Sequence, residues 1–211
     1  MLAGVIFDLD GTLGDTLPVC FAAFREVFAR HLGVTYGDDE IREMFGPTEE
    51  GILAGRIPIP DGDPMAEYLA AYARAHHMAP LPFPGIVDLL DSLERRAVPV
   101  AVVTGKGPRS TSLTLERWGI ADRFDRVEAG GDHGNIKADN MRAVVTGWGA
   151  DPRAVVSVGD VVSDITAAQE VGIVAVGAAW APTTEEASLA AARPDALFTR
   201  VEELEAWLAL R

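Results

Sequence analysis

From residue 86 to the end of the chain, short runs rich in β-branched residues alternate with stretches of helical periodicity. Such alternation leaves few folds open, because strands covered on both faces by crossover helices pair in parallel. Strands are predicted at 99–104, 127–129, 154–159 and 173–177 and near Ala196, and helices at 86–97, 109–118, 138–148, 163–171 and 201–210. A further helix opens at Thr183-Thr184-Glu185-Glu186, a capping pattern. With the apolar run Gly4-Val5-Ile6 as a first strand, the expected class is α/β, a Rossmann-like open, mostly parallel sheet with helices on both faces. Sheets of this kind bind ligands beyond the carboxyl ends of their strands.

Residues 17–82 read differently. Apolar positions recur at helical spacing over 19–32, and 40–45 and 65–77 read as further helices, with a Gly/Pro-rich stretch at 46–64 expected to be a connection. The run Pro80-Leu81-Pro82-Phe83-Pro84-Gly85 is stiff. The expected organisation is a core of residues 1–16 and 83–211 with an all-helical cap, 17–82, inserted after the first strand.

At 48% apolar and 24% charged residues, the 211-residue chain has the composition of a soluble globular protein. It contains no apolar run of membrane-spanning length and no secretory leader pattern, so a cytoplasmic location is expected, with no membrane partner. A formal charge of −14 without a basic stripe argues against a nucleic-acid partner. Cys20 is the only cysteine, which excludes an internal disulfide and a thiolate metal site, and a place in the core is expected for it. Against sixteen arginines the chain keeps two lysines, Lys106 and Lys137, which read either as positions suited to a compact ammonium rather than a planar fork or as leftover surface lysines.

The candidate chemistry lies at predicted strand ends. Phe7-Asp8-Leu9-Asp10-Gly11-Thr12 follows the first strand, so Asp8 and Asp10 share one side of an extended backbone, Gly11 permits a sharp turn and Thr12 can bond back across the loop. Two such carboxylates are costly to desolvate without a cation. Thr104-Gly105-Lys106-Gly107 ends the second strand, where a hydroxyl and adjacent amides suit a phosphate; equally, Thr104 suits a helix cap. Gly159-Asp160 ends the fourth, with Asp164 four residues on, placed either to join the other carboxylates or to complement a helix dipole. Oxygen-only ligands favour Mg2+. The set suits phosphoryl transfer, one carboxylate attacking phosphorus while a second protonates the leaving oxygen.

In these motifs the chain resembles the haloacid dehalogenase-like hydrolases, in particular phosphatases of the phosphoglycolate phosphatase type with a helical cap after the first motif. The resemblance spans nearly the whole chain. It implies Asp8 as nucleophile and Asp10 as general acid/base, with Gly11 and Thr12 directly after them among the phosphate-binding residues. Thr104 and the backbone of Gly105 become the phosphate-binding motif, and Lys106 a further phosphate contact. Lys137 becomes the lysine that steadies nucleophile and phosphate, although Ala138 and Asp139 follow it where many relatives have proline. Asp160 and Asp164, with Asp8 and the backbone carbonyl of Asp10, become the Mg2+ site. Gly130-Gly131-Asp132 fits the usual approach to that lysine.

A small phosphate ester is the expected substrate, phosphoglycolate first, and the protein is expected to be a monomer or homodimer. A phosphomutase or pyrophosphatase on the same core, or a silent binding protein of this fold, are the alternatives. No lysine lies between residues 17 and 82, which excludes a cap-borne Schiff base, and Pro47-Thr48 stands where β-phosphoglucomutase-like relatives carry Ser-Arg. A dehalogenase has no use for Asp10. Thr48, Glu49 and Arg56 are the polar residues nearest the Gly46 turn and are read as surface. Solvent-exposed roles are expected for three of the four histidines, with His133 near enough to Lys137 to approach a substrate. Trp118, Trp148, Trp180 and Trp207 are read as packing residues.

Overall fold

The computed structural model describes residues 1–58, 60–131 and 136–211. The expected His133 and Asp132 therefore lie outside the described residues. Six strands, β1 (Gly4–Phe7), β2 (Val100–Val103), β3 (Arg126–Glu128), β4 (Val155–Gly159), β5 (Val174–Ala178) and β6 (Ala196–Phe198), form one sheet ordered β3-β2-β1-β4-β5-β6, with every pair parallel. This is the Rossmann-like order. The direction of winding reverses between β1 and β4, and the crevice outside their carboxyl ends is where such sheets hold ligands. The central strands β1, β2 and β4 are buried along their whole length, as continuous runs of Val, Ile and Phe require.

Between β1 and β2 the described chain is helical: α1 (Leu17–Leu32), α2 (Asp38–Arg42), α3 (Glu49–Arg56), α4 (Pro64–Ala75) and a 3-10 turn at His76–Met78. α1 forms because Val19, Cys20, Phe24, Val27 and Phe28 recur on one face, and it stops at Gly33, whose φ of 67° is left-handed. Phe24 and Tyr68 meet with ring centroids 4.6 Å apart and tie α1 to α4. α4 is started by Asp63, whose side chain accepts from the amides of Met65 and Ala66, with Pro64 in the first turn.

Helices α5 (Ile86–Arg95), α6 (Pro108–Arg117), α7 (Lys137–Trp148), α8 (Val162–Val171), α9 (Glu186–Ala191) and α10 (Val201–Ala209) complete the crossovers. No helix among the described residues is long and apolar enough to cross a membrane.

Two local expectations are corrected. The stretch 46–64 is not only a connection: α3 lies within it, capped by Thr48, whose side chain accepts from the Gly51 amide. Gly51 and Gly55 mask its periodicity, since only Ile52 and Leu53 mark a buried face. The helix expected to be capped at Thr183-Thr184 begins at Glu186, without a side-chain cap.

Candidate active site

Asp8 is the first residue beyond β1, and its amide still pairs with the Val158 carbonyl at 2.9 Å, so the carboxylate is delivered at the sheet's winding reversal. The chain then turns sharply. Gly11 has φ +84°, and a Cβ there would run into the Asp160 carboxylate, so both the backbone angle and the close approach require glycine. Thr12 Oγ1 donates to Asp160 Oδ1 at 3.2 Å, joining the ends of β1 and β4. Asp164, in the first turn of α8, accepts from the Val161 amide at 3.2 Å and from the Lys137 ammonium. Both readings of Asp164 are thus realised in one side chain.

Asp8, Asp160 and Asp164 are all buried, and one oxygen from each lies within 4.8 Å of the others. Lys137, the first residue of α7, places Nζ 2.9 Å from Asp8 Oδ1. Three carboxylates therefore share one ammonium in a water-poor site. Burial raises the Asp8 carboxyl to about 7, with Lys137 opposing and Asp164 and Asp10 reinforcing the rise. Burial, then Asp8 and Asp164, push Asp160 well above the usual carboxylate range. Burial works against the Lys137 ammonium, but Asp164 and Asp8 hold its pKa above the ordinary value.

This donor set fits a hard dication, which would offset the remaining negative charge through oxygen ligands alone. A pH dependence follows. Because the folded Asp8 keeps a proton that the unfolded chain, at its ordinary 3.8, has released, metal-free stability falls as pH rises through the interval up to about 7. A dication binds the ionised form. Thermal melts should show saturating Mg2+ raising Tm by about 5 °C or more near pH 8 and by much less near pH 5. An equal shift at both pH values would contradict the charge balance described for the cluster.

Thr104 is buried at the end of β2, and its Oγ1 accepts from the Lys106 amide at 3.2 Å. Thr104 makes no cap for α6, whose cap position is Gly107, so the capping alternative does not hold. Thr104 and Gly105 line, with Asp8, Asp10, Lys137 and Asp160, a cavity of about 470 Å³. Its far wall comes from the helical insertion and is mostly apolar, through Leu17, Phe24, Phe45 and Ile52, with Arg42 at the same wall.

A sequence profile described as haloacid dehalogenase-like hydrolase matches residues 5–178. The chain belongs to this family. Among relatives of the haloacid dehalogenase-like hydrolases, pyrophosphatase PpaX of Bacillus pumilus is 28% identical over 202 residues, 95% of this chain and 93% of that protein. Phosphoglycolate phosphatase of Synechococcus elongatus is 28% identical over 96% of this chain and 95% of its own length. A haloacid dehalogenase-like family hydrolase of known structure from Streptococcus pneumoniae superposes with a TM-score of 0.78 at 27% identity, covering 98% of each chain.

In this haloacid dehalogenase-like site, Asp10 is half-buried, accepts from Thr16 Oγ1, and lies 3.4 Å from Lys106 Nζ. The Lys106 ammonium, expected beside a phosphate, is taken up by Asp10, Glu49 and Cys20. Glu49, read from the sequence as surface, is only 5% exposed. Its partners on α6 lie some sixty positions away, beyond the reach of any local pattern; the acidic first turn after Thr48 was the available signal. Thr48 is also buried, whereas Arg56 is exposed as expected. Arg42 escaped the sequence reading, and no carboxylate of the described residues forms a salt bridge with it.

The histidine expectation is corrected in two places. The His31 side chain is 3% exposed and bonds Glu67 Oε2 at 2.9 Å. His76 is buried edge-on against Tyr72 and Trp118. His77 is exposed. The tryptophans pack as read: Trp118 donates to the Ala79 carbonyl and Trp180 to the Thr12 carbonyl, each through its indole N–H.

Proposed function

We propose that this chain is a Mg2+-dependent phosphatase that hydrolyses a small phosphorylated metabolite, phosphoglycolate-like, through an aspartyl-phosphate on Asp8. The observation that carries the reading is Asp8 itself, a buried carboxylate held by Lys137 at 2.9 Å, grouped with Asp160 and Asp164, and lining a cavity. Asp8 attacks phosphorus as the bond to the ester oxygen breaks, and Asp10 gives that oxygen a proton. Asp10 then takes a proton from the water that displaces phosphate from Asp8. Thr104, the Gly105 amide and Lys137 hold the phosphoryl oxygens, and Gly11 and Thr12 keep the loop in place. Asp8, Asp160, Asp164 and the backbone carbonyl of Asp10 would hold the Mg2+, which when bound offsets the charge of the transferring group.

In this reading residues 17–82 act as a cap over a core of 1–16 and 83–211, closing the cavity to water. Arg42, on the cap side of that cavity, is placed to meet a second anionic group such as the carboxylate of phosphoglycolate. A pyrophosphatase is the second reading, favoured by the likeness to pyrophosphatase PpaX.

A panel of phosphoglycolate, sugar phosphates and pyrophosphate, assayed for released phosphate with Mg2+ and with a chelator, tests the proposal. Release from a monoester that vanishes with chelator is expected. Release from pyrophosphate alone would replace the reading by its alternative; an isomeric ester as product would indicate a mutase; no release from any compound would indicate a binding protein.

A further inference from the structure

Lys106 is buried to 5% exposure, and a buried ammonium must be matched by partners. One of them is Asp10, whose two carboxylate oxygens lie 3.4 and 3.5 Å from Nζ. The others all belong to the helical insertion. Cys20 Sγ on α1 is 2.9 Å away, Glu49 Oε1 on α3 is 3.5 Å away, and the Tyr72 ring on α4 lies under the ammonium at 4.5 Å. Lys106 is thus the one point at which a charged group of the loop after β2 touches both Asp10 and the insertion.

Glu49 grips that loop twice. Besides facing the ammonium, its carboxylate accepts from the Gly107 amide and from Ser110 Oγ, each at 2.5 Å. A Cβ at Gly107 would run into this carboxylate, so the approach is built into the loop. Glu49 therefore fixes the backbone next to Lys106 as well as its charged end. Thr16 Oγ1 also donates to Asp10. Without Lys106, Asp10 would keep its Thr16 contact but lose its cation, and without Glu49 the ammonium would lose a carboxylate partner, while Asp8, Asp160, Asp164 and Lys137 keep every contact described for them.

We propose that Lys106 is a positioning residue for Asp10, held in place by Glu49, so that the Glu49 link between the start of α3 and the start of α6 is what aims the acid/base group at the leaving oxygen. The proposal rests on the assignment of Asp10 as acid/base made above. It differs from the expectation that Lys106 binds phosphate.

The two roles separate by leaving group. A dinitrophenolate departs without needing a proton, whereas an alkoxide requires one. For Lys106→Met, kcat/KM should fall by about 100-fold on the best alkyl phosphate and by less than about 5-fold on dinitrophenyl phosphate. Glu49→Gln, which preserves shape and one acceptor oxygen, should show the same skew at smaller size, and it decides the matter should Lys106→Met fail to fold. Equal losses on both substrates, or none, would overturn the proposal. Asp10→Asn serves as reference. If it shows the skew and the other variants do not, the inference about Lys106 fails alone; if it loses equally on both substrates, the acid/base assignment fails and takes the inference with it.

Discussion

Asp8→Asn should lower kcat for phosphate release by about 10,000-fold or more, with the protein still folded. The amide is nearly the shape of the carboxylate it replaces, so the strand end, the Gly11 turn and the Thr12 to Asp160 bond are undisturbed. What is lost is the anionic oxygen that, in the proposed mechanism, attacks phosphorus. Neither Asp160 nor Asp164 can take over, because each is anchored beyond β4 with partners of its own, Thr12 for one, and Lys137 and the Val161 amide for the other. Circular dichroism and a thermal melt establish that the variant is folded, and a coupled phosphate assay reads the activity. Activity within about tenfold of wild type would remove Asp8 from the chemistry.

Lys137→Ala should give the largest loss of stability of any single change in the site, about 3 kcal/mol or more. The reason is electrostatic: Lys137 bonds Asp8 and Asp164, and without it three buried carboxylates face one another with no ammonium beside them. Destabilisation of that size lowers Tm by roughly 6–12 °C in a chain of this length. Its pH dependence has a definite sign. Asp8 and Asp160 already titrate above their ordinary range because of burial and mutual repulsion, so without Lys137 they rise further, and the variant is weakest where they are forced to ionise. Melts near pH 8 should therefore show a larger deficit than melts near pH 5, and Mg2+ should restore part of the deficit near pH 8. A deficit independent of pH would show that Lys137 contributes packing rather than charge.

β2, β4 and β5 were legible because each is rich in Val and flanked by Pro, Asp or Gly, and a buried parallel strand needs little else. Once those strands are known, the winding rule places the residues after β1 and β4 side by side, which is why Asp8 and Asp160 could be paired across some 150 positions. Lys137 was visible through its scarcity. What was not legible depends on packing between distant elements. Glu49 has the local surroundings of a surface residue, yet its carboxylate is taken up by Gly107 and Ser110 at the start of α6. His31 and His76 sit at helix ends, where local sequence suggests solvent, yet Glu67 and Trp118 cover them. The Lys106 ammonium was expected to follow its motif toward phosphate, and the insertion supplies Glu49 and Cys20 as partners instead.

The central claim is that Asp8 becomes phosphorylated in a site completed by Asp160 and Asp164. Acid quenching of the enzyme during turnover, followed by mass analysis of its peptides, tests this most directly. A phosphate adduct on the peptide bearing Asp8, present with Mg2+ and absent with chelator, is the predicted result. Steady hydrolysis with no adduct on that peptide, or an adduct on another residue, would contradict it.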